Sequence, residues 1–262
     1  IELITMSPFP AGKITVLIAV TIFIACENKQ PVSANTTQIN FTDVTATAGL
    51  ANFRHVTGAV GDKWFPESMG SGGGFIDYNG DGWSDILLVG GGVWPEKSAA
   101  VAPALFLYHN NQDGTFKNVT AAAGLAVLHT YGFGIPVADY DNDDDFDLYL
   151  TNWGKNRLYK NENNIFTNAA EDLNLESDSL SNGAGWGDFN NDGYIDLWSN
   201  NFKREDDLFL NPNTTNQDWD NSHNPFYLSA TQDVIPVDYN SDGWLDMFTP
   251  GLLMAHENGV ED

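Results

Sequence analysis

A short acidic text recurs four times in this chain, and no other feature narrows the possible folds as far. "DYNGDGWSDILL" starts at Asp77, "DYDNDDDFDLYL" at Asp139, "DFNNDGYIDLWS" at Asp188 and "DYNSDGWLDMFT" at Asp238, spaced by 62, 49 and 50 residues. The shared pattern is D-[YF]-[DN]-x-D-[GD]-x-x-D-[LIM]. A second text lies between the copies: "LFLYHN" at 105–110, "NRLYKN" at 156–161 and "DDLFLN" at 206–211. A third reads "FTDVTATAGL" at 41–50, "FKNVTAAAGL" at 116–125 and, more loosely, "FTNAAEDLNL" at 166–175. A fixed period of this kind is the mark of a repeat architecture. Each unit offers several β-type segments of four to six residues divided by Gly, Asn and Asp turns. No segment keeps a 3.6-residue apolar period long enough for a core helix; the "AAAGL" pieces read as one helical turn or as loop. The expectation is an all-β chain of about four repeats stacked as β-propeller blades. An elongated β-solenoid, or a string of cation-binding turns, is the alternative.

The acidic text has the chemistry of a hard-cation loop. In the first copy Asp77, Asn79 and Asp81 alternate, so a curling backbone can turn three oxygens to one centre. Gly82 permits the sharp turn, Trp83 offers its carbonyl, and Asp85 returns at position nine as a possible bidentate group. That makes the six or seven oxygens calcium prefers. No His or Cys accompanies them, as zinc and the later transition metals would require. The same register gives Asp139, Asp141, Asp143, the carbonyl of Asp145 and Asp147 in the second copy. In the third it gives Asp188, Asn190, Asp192, the carbonyl of Tyr194 and Asp196. In the fourth it gives Asp238, Asn240, Asp242, the carbonyl of Trp244 and Asp246. The order follows an EF-hand through position seven, but an EF-hand closes with Glu at position twelve between helices. Here Asp closes the loop at position nine and a strand follows. About four Ca2+ ions are therefore expected. The second loop, with Asp141 where the others have Asn, is expected to be the most charged and the most destabilised without metal. Asp144 stands where the others have Gly, a position that a φ above zero would explain.

The composition agrees. There are 36 acidic and 11 basic residues, a formal net charge of −25, which makes nucleic acid a poor partner. An aromatic content of 13% separates the chain from acidic disordered segments. The single cysteine, Cys26, leaves no intrachain disulfide and no CxxC zinc site. It ends the apolar run "ITVLIAVTIFIAC", which is short for a bilayer span and reads as the core of a signal peptide over residues 1–25 that starts at Met6. Ala25–Cys26 resembles a bacterial lipobox, whose cysteine is lipidated and becomes the mature N-terminus; Phe23 departs from the usual leucine. An ordinary secretory signal is the alternative. Residues 26–40 then form a lipidated, polar tether, and 41–262 the partial propeller. This places the protein at a bacterial outer membrane or cell surface, or else secreted or periplasmic, with membrane contact only through the anchor.

Taken as a set, "GSGGGFIDYNGDGWSDI" and "LYLTNWGKNRLYKN" resemble FG-GAP/VCBS-type repeat proteins with calcium loops like those of integrin α-subunit propellers. Within them the likeness is to the cartilage acidic protein and UnbV-like group. The resemblance covers roughly residues 39–262 and implies an exported β-propeller, typically seven-bladed, used for adhesion or binding. The group's C-terminal ASPIC/UnbV segment does not follow, and the fourth repeat stops before an "LYxN" text, as a truncated copy would.

No G-x-S-x-G, H-E-x-x-H or Walker text occurs, so no catalytic residue is assigned. His55, His109, His129, His223 and His256 read as surface or turn residues, and Trp83, Trp186 and Trp244 as blade-packing residues. The expected function is a calcium-binding module for an extracellular protein or glycan. A propeller domain of an exported carbohydrate-active enzyme, or its accessory subunit, is the alternative.

Overall fold

Alternating strands and tight Asx turns should give small antiparallel sheets, and they do. The computed structural model describes residues 40–58, 70–92, 104–126, 130–201, 206–213, 219–220 and 235–248. The leader, Cys26 and most of the tether lie outside these, as do His129, His223 and His256. The chain divides into two units, Ile1–Asp43 and Val44–Asp262, and every described strand is in the second.

The first sheet is β1 (Gly73–Ile76), β2 (Asp85–Val89), β3 (Leu105–Asn110) and β4 (Phe116–Asn118), hydrogen-bonded in chain order. The second takes β5 (Val137–Ala138), β6 (Asp147–Leu150), β8 (Arg157–Glu162) and β9 (Ile165–Asn168). The third is built from β10 (Asp178–Gly187), β11 (Asp196–Asn201) and β12 (Asp207–Phe209). To it is added β7 (Trp153–Lys155), which leaves the second repeat to pair with the start of β10. The fourth is the hairpin β13 (Ile235–Val237) and β14 (Asp246–Phe248). All strand pairs are antiparallel, and the described residues contain no helix. The architecture is all-β, a partial β-propeller.

Strand alternation decides which sheets touch. Leu87 and Val89 of β2 share a core with Leu148 and Leu150 of β6. Tyr149, between those two leucines, points the other way into a core with Leu197 and Phe209 of the third sheet. Trp198, next to Leu197, packs instead with Met247 of the fourth. Strands covered on both faces lose the apolar–polar alternation: β6 and β11 are buried at every position, whereas β2 alternates buried and half-buried.

The "AGL" text is a single helical turn closed by a Schellman cap. Leu125 N donates to Thr120 O and Gly124 N to Ala121 O, the two bonds that define that cap. Gly124 sits at φ 80°, and a Cβ there would lie 2.5 Å from the Phe166 carbonyl oxygen. The reason is a bond to the next repeat, from Phe166 N to Ala123 O. Phe116 N–Ala48 O and Trp219 N–Leu173 O repeat it, with Asn174 at φ 57° taking the glycine's place. This turn is therefore the clamp between successive repeats.

Candidate metal centres and their clasps

Each acidic loop connects the first two strands of its hairpin: β1–β2, β5–β6, β10–β11 and β13–β14. The aspartate at position one accepts two backbone N–H groups and so sets the curl. Asp77 takes Asp81 N at 3.1 Å and Gly82 N at 2.8 Å. Asp139 takes those of Asp143 and Asp144, Asp188 those of Asp192 and Gly193, and Asp238 those of Asp242 and Gly243. Two left-handed residues make the curl possible. Position six is Gly82, Asp144, Gly193 and Gly243, at φ 84°, 70°, 91° and 89°. Position four is Gly80, Asn142, Asn191 and Ser241, at φ 67°, 57°, 59° and 61°. The sequence indicated the first of these requirements; the second was hidden in a variable position.

Position five receives the N–H of position seven: Trp83, Asp145, Tyr194 and Trp244 donate to Asp81, Asp143, Asp192 and Asp242 at 2.9–3.0 Å. The side chain at seven is left on the surface, so Trp83 and Trp244, 48% and 54% exposed, are not blade-packing residues. Trp186 is, against Tyr149 and Trp219. At position three the amides of Asn79 and Asn190 donate to Asp81 and Asp192 Oδ2, and the Oδ1 of Asn79, Asn190 and Asn240 accepts the N–H of Asp81, Asp192 and Asp242. Asp141 cannot donate in that way.

Position nine has a second task. Asp85, Asp147 and Asp196 are fully buried. One oxygen of each accepts the N–H of position two, from Tyr78, Tyr140 and Phe189. The other accepts the N–H of the "LYxN" asparagine: Asn110 at 2.7 Å, Asn161 at 2.8 Å and Asn211 at 2.8 Å. Asp246 takes Tyr239 N in the fourth loop. Carboxylate oxygens have further lone pairs, so the clasp is compatible with ligation. The asparagine side chains reach back a repeat: Asn161 Nδ2 donates to Tyr78 O and Asn211 Nδ2 to Tyr140 O, both at 2.9 Å. The second and third clasps are thus joined to the loop before them, whereas Asn110 Nδ2 donates to Ser84 O of its own loop. The repeated asparagine was the signal for this link, legible as a pattern but not as a contact.

The residue before that asparagine faces the loop. In the first repeat it is His109, whose Nδ1 lies 3.1 Å from Asp85 Oδ1, a partner that a mere turn residue would not have. In the second it is Lys160, with Nζ 2.8 Å from Asp141 Oδ2 and 3.6 Å from Asp143 Oδ2. In the third it is Leu210.

Burial pushes the Asp147 carboxyl up to about 8, and nearby Asp141 and Asp143 add to the rise against the N–H groups of Asn161 and Tyr140. Burial likewise brings Asp196 to about 6 and raises Asp85 and Asp141. These are sites that resist holding bare negative charge. Asp139, Asp141 and Asp147 bring carboxylate oxygens within 4.8 Å of one another, and Asp141 Oδ1 is buried with no hydrogen-bond partner. A set of hard oxygens this close, with one left unsatisfied, fits a hard cation.

The first three loops lie in residues that match a known repeat family. Residues 77–150 and 139–199 match the FG-GAP-like repeat family. Cartilage acidic protein 1 of Homo sapiens is 44% identical over 55 residues, 21% of this chain and 8% of that protein. The Mus musculus protein of that name is 42% identical over the same shares. The Xenopus tropicalis protein is 28% identical over 100 residues, 37% of this chain and 16% of its own length. The chain thus spans a small part of the relatives it matches. Three of the four loops lie in the residues that match FG-GAP-like repeats, and the chain resembles cartilage acidic protein 1 in part.

Proposed function

We propose that the chain is an extracellular, calcium-stabilised binding module rather than a catalyst. The carrying observation is the second loop, where the Asp139, Asp141 and Asp147 oxygens converge within 4.8 Å and Asp141 Oδ1 is left unsatisfied. The other loops share its backbone curl. Calcium, when bound, would neutralise the converging carboxylates. The protein's part is to hold them: position one fixes the curl, and position nine ties the loop to its sheet. Positions one, three, five and nine, with the carbonyl of position seven, are the ligand set in each loop.

The binding face is the loop side. Trp83, Tyr239 and Trp244 are exposed there, and such aromatics offer large contact area beside polar groups. An extracellular protein or glycan is the class of partner this suits. Lipid anchoring through Cys26 belongs to the same reading and rests on the sequence alone.

Calorimetric titration should find about four calcium sites, and EDTA should lower the melting temperature by well over 5 °C, with calcium restoring it. A melting temperature indifferent to both would sink the metal reading. For the partner, glycan and matrix-protein arrays should give hits that vanish in EDTA; calcium-independent hits would move binding away from the loop face.

A further inference from the structure

Lys160 stands out because it does in the second loop what an amide does in two others. In the first and third loops the position-three side chains, Asn79 and Asn190, donate to the position-five carboxylates at 3.3 and 2.9 Å. Asp141 takes that place in the second loop and would repel Asp143. The ammonium of Lys160 spans the two instead, 2.8 Å from Asp141 and 3.6 Å from Asp143, with Glu162 at 3.1 Å on its outer side. The pair is well enclosed: the Asp141 side chain is 10% exposed and that of Lys160 22%. Among the ligand-position side chains the extra carboxylate of Asp141 and the lysine cancel; Asp144 and Asp145 still leave the whole loop more negative than its relatives.

We infer that Lys160 is a built-in counter-cation of the second loop, holding it folded without metal and lowering its calcium affinity. The inference rests on the reading of the loops as calcium sites and adds a control to one of them. Sequence alone ranks the second loop as the most metal-dependent; the lysine reverses that order. Where an aqueous cation would have to be captured, this one is tethered to β8 beside Asn161, whose N–H already holds Asp147.

The test uses the full chain. Lys160→Gln should raise the calcium affinity of one site by about tenfold, the scale of one well-placed ion pair, and should lower the melting temperature in EDTA. Lys160→Arg, which keeps the charge, should match the wild type. Equal affinity and equal metal-free melting in wild type and Lys160→Gln would overturn the inference, as would an arginine variant that behaves like glutamine. Should Lys160→Gln fail to fold, Asn190→Asp carries the test, since it adds a fourth carboxylate to a loop that has Leu210 in the lysine's place. It should lower metal-free stability, and no loss there overturns the inference. A wild type that ignores calcium would defeat the calcium reading instead, and the EDTA melting of Lys160→Gln would still judge the lysine.

Discussion

The second and third loops have the same backbone and opposite chemistry. Both curl around the aspartate at position one, both bury the aspartate at nine, and both are clasped by an asparagine that reaches the loop before. Yet the second has Asp141, Asp144 and Lys160 where the third has Asn190, Gly193 and Leu210. The aspartates at positions one, five and nine hold the same backbone groups in both, with Asn190 Oδ1 adding a bond from Asp192 N in the third; the charges around the loop differ. Shape and electrostatics are therefore set by separate positions of one motif. On the proposed calcium reading, a repeat changes its affinity for the ion without losing the turn that forms the loop.

That division is easiest to break at the clasp. Asp147→Ala and Asp196→Ala should each cost about 3 kcal/mol in urea unfolding under EDTA, because each strands two backbone N–H groups at a buried strand end. The two losses should be alike despite the different charges around them. A loss at Asp147 less than half that at Asp196 would mean that the second loop is held by its ions rather than its clasp.

The repeat and the loops were legible in the sequence because each is local: alternating oxygens, a glycine and a strand, all within twelve residues. Asp144 shows the same locality, since its need for positive φ could be read against the glycine of its relatives. What stayed hidden is what one repeat does to another. The strand β7 belongs by sequence to the second repeat and by hydrogen bonding to the third. The "AAAGL" text read as one helical turn or as loop, but the Phe166 carbonyl crowding Gly124 comes from the next repeat. Lys160 is one basic residue in a short text, and only the fold brings it within 2.8 Å of Asp141. Trp83 and Trp244 were misjudged because strand neighbours suggested packing, whereas the loop's own hydrogen bond turns position seven outward.

The bridges to the preceding loop should cost less than the clasps. Asn161→Ala and Asn211→Ala each remove one side-chain bond to a carbonyl, from Tyr78 and Tyr140, and should lose about 1–2 kcal/mol. Asn211 also donates to Ile195 O within its own loop, so its loss should be the larger of the two. Hydrogen exchange at the preceding loop should quicken in both variants. Protection unchanged in that loop would show the repeats to be coupled by their apolar seams alone.

The smallest effect lies at position six, where the two loops can be exchanged residue for residue. Asp144 is held at φ 70° and Gly193 at φ 91°. A non-glycine residue in the left-handed region bears a steric penalty of about 1 kcal/mol, partly offset by the greater freedom glycine has when unfolded. Asp144→Gly also removes a carboxylate from the crowded second loop, so penalty and repulsion are relieved together. It should stabilise the protein by about 1 kcal/mol in EDTA. Gly193→Asp should destabilise by a similar amount, with Leu210 standing where the second loop has Lys160 to soften the added charge. Melting curves in EDTA at low and high salt separate the two contributions, since salt screens only the second. If both swaps were neutral at high salt, position six would matter for charge and not for shape. The separation between the two kinds of position would then fail at the residue where it is most directly tested.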